Sequence, residues 1–75
     1  MHVYFFDVVT PNYVQHDFHG RKLNVPDDAI QLAELIALDI ECSTQDWIDM
    51  QVVVRDAEGS RLHAVNVRRP DMIVH

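Results

Sequence analysis

From Val3 to Val9 the chain reads Val-Tyr-Phe-Phe-Asp-Val-Val, and both alternating sets of positions are apolar: Val3 and Phe5 on one, Tyr4, Phe6 and Val8 on the other. Aromatic and β-branched residues in such a run predict a strand covered on both faces, and Thr10-Pro11-Asn12 supplies the turn that ends it. An extended pattern resumes at Tyr13-Val14-Gln15-His16-Asp17. It closes at Asp17-Phe18-His19-Gly20, where Asp17 can start an Asx turn and Gly20 can take positive φ. The second strand ends there and can re-form around Lys22 and Leu23.

At Pro26-Asp27-Asp28 the period changes. Proline is tolerated in a first helical turn, either aspartate can cap, and Gln31 stands three residues after Asp28 as a capping box requires. From Ala29 to about Cys42 there is neither Gly nor Pro, and good helix formers dominate. At 100° per residue Ala29, Leu32, Ala33, Ile36, Ala37 and Ile40 share one face, with Gln31, Glu34, Asp39 and Glu41 opposite. The small Ala33 and Ala37 allow close approach to a sheet. Leu35 and Leu38 fall outside that face. Flanked by Gln31 and Cys42, they make a second, narrow stripe that the sheet cannot bury. Ser43 and Thr44 loosen the helix, and Trp47 and Ile48 are expected to cover one end of the core.

Gln51-Val52-Val53-Val54-Arg55 predicts a third strand, Asp56-Ala57-Glu58-Gly59 a turn with Gly59 left-handed, and Arg61 to Val67 a fourth strand. The first and third strands are apolar on both sides and belong in the centre. Gln15, His16 and Asp17, and Arg61, His63 and Asn66, suit edges, where polar groups discourage aggregation. The expectation is an α+β fold of order β-β-α-β-β: a four-stranded antiparallel sheet, 2-1-3-4, with one helix across one face. Residues 1–75 form one domain, and 70–75, with Met72-Ile73-Val74, form a tail.

Composition narrows the function classes more than it selects one. Seventy-five residues, 48% apolar and 24% charged, make one small globular domain. Twelve acids against six Lys and Arg give a net charge of −6. Between Asp27 and Glu58 nine acids face Arg55 alone, whereas Arg61, Arg68 and Arg69 outweigh Asp71 near the end, so the chain is dipolar. Such a balance opposes non-specific binding to nucleic acid or anionic lipid. The single Cys42 cannot form an internal disulfide, which suits a reducing compartment. The first residues lack a basic leader, and no apolar run approaches the roughly 18 residues of a membrane span. A soluble, cytoplasmic protein is expected.

The opening Tyr4-Phe5-Phe6-Asp7, the Asp17-x-x-Gly20 turn, the Pro26-Asp27 entry into an Ala-rich helix and the Val52-x-Val54-Arg55-Asp56-x-x-Gly59 hairpin resemble a domain-of-unknown-function family. Its members are short proteins common in rhizobia and related alpha-proteobacteria. The likeness covers nearly the whole chain, and departs from the family pattern at Trp47-Ile48-Asp49-Met50, which replaces a more polar linker. It implies a bacterial, cytoplasmic protein and carries over neither catalytic residues nor a function.

Chemistry-bearing motifs are sparse. There is no Gly-rich phosphate loop, nucleophile elbow or paired-carboxylate motif. Cys42, at the negative end of the helix beside Glu41, has the reverse of the surroundings a catalytic thiolate needs. His16 and His19, completed by Asp17 or His63, offer a remote metal-binding alternative, but residues i and i+3 of a strand point to opposite faces. Arg61, His63, Arg68 and Arg69 lack the aromatic residues that stack bases. No catalytic, cofactor or metal residues are therefore expected. The expected function is a non-enzymatic protein-interaction or regulatory module, a homodimer joined through the sheet's open face or the stripe of Gln31, Leu35, Leu38 and Cys42. The alternative is a small antitoxin-like regulator that binds nucleic acid or a toxin, an expectation from fold analogy alone.

Overall fold

The computed structural model describes residues 2–43 and 49–67. Its elements are β1 His2–Val9, β2 Val14–Gln15, β3 Arg21–Leu23, α1 Pro26–Ser43, β4 Gln51–Asp56 and β5 Arg61–Asn66. The sheet is antiparallel throughout in the order β2-β1-β4-β5, with β3 also paired to β1. This is the expected architecture with one correction: the second strand is broken into two short pieces, β2 and β3.

Register shows why it breaks. Val8 pairs with Gln15 and Tyr4 with Arg21, so the three residues of β1 between those pairs face five residues, 16–20. Two surplus residues must leave the ladder, and the Asp17 turn takes them up. Asp17 accepts the backbone N–H groups of His19 at 3.0 Å and Gly20 at 3.2 Å on one carboxylate oxygen, and Gly20 adopts φ +76°.

The even-numbered side of β1 meets the helix. Tyr4 and Phe6 from β1, Val52 and Val54 from β4, and Ala29, Ala33 and Ala37 from α1 form the buried core, joined by Val67. Leu23, Leu32, Ile36, Ile40, Met50 and Val65 pack around it. The alanines lie at four-residue spacing on the buried stripe, so the helix backbone lies close on the valines of β4. The helix entry is fastened by the Asp28 N–H to the Val25 carbonyl at 3.1 Å, and Asp27 and Asp28 occupy the dipole-favoured first turn. Beyond β4, Asp56 accepts the N–H groups of Glu58 and Ser60, both at 2.9 Å, and Gly59 takes φ +90°. Trp47 and Ile48, assigned to cover the core, and the 70–75 tail lie outside the described residues. Among the described residues no helix is long and apolar enough to cross a membrane.

The two glycines separate conformational from steric cost. A Cβ on Gly59 would meet nothing within 4 Å, whereas one on Gly20 would stand 2.8 Å from Val3 Cγ1 and 3.0 Å from Phe5 Cε2. Urea denaturation should show Gly59→Ala costing about 1 kcal/mol, the left-handed penalty alone. Gly20→Ala should cost about 2 kcal/mol or more, because overpacking is added to that penalty.

Candidate interaction surface

The face of the sheet away from α1 carries Val3, Phe5 and Asp7 of β1 and Val53 and Arg55 of β4. It is not the bare apolar surface that the valines and aromatics alone suggest. Asp7 is only 3% exposed and accepts four hydrogen bonds. Arg55 clamps it with Nε at 2.6 Å from Oδ2 and Nη2 at 3.1 Å from Oδ1, His16 Nδ1 lies 3.2 Å from Oδ2, and the Asp17 N–H donates to Oδ1 at 3.0 Å. The Arg55 guanidinium also lies 5.3 Å over the Phe5 ring, a cation–π contact that covers the aromatic with a polar group. Asp17 in turn accepts the Phe6 N–H at 3.2 Å.

Two opposing effects act on Asp7. Burial pushes its carboxyl up, but the Arg55 hydrogen bonds, the Asp17 N–H and His16 outweigh this and hold it below the ordinary carboxylate value. Burial likewise raises Asp17, and the N–H groups of His19, Phe6 and Gly20 more than reverse it. Both carboxylates are thus ionised acceptors at neutral pH. A His–Asp contact has the form of the orienting half of a catalytic triad, but the shallow hollow of about 340 Å³ among Gln15, His16, Phe18 and His19 is lined by no hydroxyl, thiol or amine. No buried side-chain polar atom among the described residues lacks a partner. This cluster is a structural pin: it ties β1, β4 and the 16–20 loop together.

The three histidines of the metal alternative do not converge. His16 and His19 lie at the β2–β3 edge and His63 on β5 at the other edge, three strand spacings or roughly 14 Å across the sheet. Among the described residues no group of three or more His, Cys, Asp or Glu side chains could hold a metal ion.

The helix stripe is where the wheel places it. Leu35 is 62% and Leu38 53% exposed, and Gln31 and Cys42 are exposed beside them. Leu38 also lines a groove of about 310 Å³ between α1 and β5, floored by Ala37 and Val65 and rimmed by Glu34, Glu41 and Asn66. Leu62 of β5 is half exposed. A second apolar group, Tyr13, Val14 and Phe18, lies at the opposite edge, with Phe18 85% exposed. The sequence reading missed this group and the Asp7–Arg55 pair. The signal for Phe18 was the Asx turn itself: once the Asp17 side chain turns inward to hold the backbone, the next residue is presented outward.

All six elements, apart from the first residue of β1, fall within a span that a family model matches. The model is described as Domain of unknown function (DUF6894) and covers residues 3–68. The chain belongs to this family. Searches of curated proteins and of solved structures return no match. In this DUF6894 chain the family span includes the whole pin, both turn glycines and the helix stripe.

Asp7→Asn should remove the charge that Arg55 and His16 face. Losing one partner of a buried pair costs about 3–5 kcal/mol, and with the Arg55 side chain a quarter exposed we expect about 2–4 kcal/mol by urea denaturation at neutral pH. The sign of the pH dependence follows from the lowered carboxylates. Their stabilisation is complete above the unfolded value near 4 and is lost as pH falls through the lower folded values. Wild-type stability should therefore drop below about pH 4, and the drop should be shallower in Asp7→Asn, where only Asp17 still contributes it.

Proposed function

We propose that this protein is a non-enzymatic interaction module of the cytoplasm that self-associates through the outer face of α1. The observation that carries the reading is the exposure of Leu35 and Leu38 on neighbouring turns, on a domain whose buried polar side chains are satisfied. Adjacent exposed leucines beside an apolar groove favour burial against another surface. The open sheet face is the weaker candidate, because Arg55, Asp7 and the 16–20 loop already cover its centre. The lone, exposed thiol of Cys42 is compatible with a reducing compartment.

Light scattering across a concentration series checks this. The wild-type chain should move from monomer to dimer as concentration rises, and Leu35→Lys should give a folded monomer, because dimerisation would bury its charge unpaired. Within the monomer the substitution should change stability by no more than about 0.5 kcal/mol, as at other exposed positions. A wild-type chain that stays monomeric at high micromolar concentration would remove the reading.

A further inference from the structure

The helix stripe lies next to a second unburied feature, the outer edge of β5, and one symmetric contact would cover both. The Val67 N–H donates to the Met50 carbonyl at 2.9 Å, and the register continues as Gln51 with Asn66, Val52 with Val65 and Val53 with Ala64. In an antiparallel ladder bonded and non-bonded pairs alternate. Val65 and His63 therefore bond toward β4, and the N–H and C=O groups of Ala64 and Asn66 point away from it. Among the described residues no strand lies beyond β5.

We propose, resting on the self-association reading above, that two copies of the chain join β5 to β5 as antiparallel strands about a twofold axis at Ala64. The sheet then runs unbroken through both copies, with both helices on one face. The bonding pattern selects this register: Ala64 stands opposite its own counterpart, and Leu62 opposite Asn66. Val65 then stands opposite His63 of the second copy, on the helix side. This brings that imidazole to the groove formed by Leu38, Ala37 and Val65, where Glu34 and Glu41 stand on the rim. The contact is chemically complementary: His63, opposite the core residue Val54, lies on the helix side, and its imidazole offers an N–H donor to the Glu34 carboxylate on the rim. Size also permits it, since a stable interface buries about 800 Å² per partner, roughly a seventh of this chain's 5408 Å². The opposite edge is poorly suited, because β2 and β3 have two and three residues and are offset by the 16–20 loop.

The test combines sedimentation equilibrium of the full chain with amide hydrogen exchange by NMR from micromolar to millimolar concentration. Protection of the Ala64 and Asn66 amides should rise with dimer population. Ala64→Pro removes an N–H that β4 does not use. It should leave a folded chain whose dimer dissociation constant is raised by about tenfold or more, one hydrogen bond being lost from each copy. A dimer abolished by Leu35→Lys, but with the exchange of these two amides independent of concentration, would overturn the strand pairing and leave the helix-face reading intact. Protection of both amides in a monomer would mean that the chain's own 68–75 segment covers the edge, which also overturns it. A chain that remains monomeric at millimolar concentration would overturn both.

Discussion

The bidentate contact between Arg55 and Asp7 joins residues 48 positions apart in sequence, and the rest of the architecture is arranged around it. A two-layer domain with one helix covers one face of its central strands and leaves the other to solvent. Here β1 and β4 carry large apolar residues on that second face, and among the described residues no further element packs over it. A polar group anchored at the centre meets the difficulty. Arg55 extends over Phe5 and ends on Asp7, so its methylenes and guanidinium cover apolar surface while its charge is neutralised at the buried end. Asp7 gathers the 16–20 loop from the other side through His16 and the Asp17 N–H.

The position of the pin matters for assembly of the fold. β1 and β4 are separated by the N-terminal hairpin and an 18-residue helix, so their pairing closes a long loop, whereas each hairpin forms locally. The two hairpins meet along the seam that Asp7 and Arg55 fasten. Arg55 also stands opposite Arg61 on β5, a like-charge pairing that is unfavourable in a ladder unless one charge is neutralised elsewhere. Asp7 performs that neutralisation, so β5 depends on the pin too.

Elements with a strong period were legible in the sequence. The helix face of Ala29, Ala33 and Ala37, the central placing of β1 and β4, both turn glycines and the outward Leu35 and Leu38 follow from spacing and turn chemistry. The broken second strand was not legible, although its cause lay in the same Asp17 turn: periodicity gives the direction of side chains but not how many residues a turn consumes. The pin escaped for a related reason. Asp7 reads as an interruption of an apolar strand and Arg55 as the end of another, and only the antiparallel register sets them diagonally on one face. A residue pair 48 apart leaves no local pattern.

What the interior has satisfied and the surface has not is what supports the interaction role proposed above. In this chain the buried carboxylate is saturated by arginine, imidazole and backbone, and the hollow beside it has no nucleophile. The groups that still want partners are peripheral, and the two sheet edges differ. At the N-terminal edge the two surplus residues bend the chain out of the ladder, a device that shortens an edge and protects it from pairing. At β5 the bulge between Val54 and Arg55 lies at one end, and the strand from His63 to Asn66 keeps a regular register. On the helix side its His63 offers an N–H donor to an acidic neighbour. The same chain that turns one edge aside leaves the other straight, next to the outward pair of helix leucines, Leu35 and Leu38. That asymmetry supports the proposed contact on the β5 side.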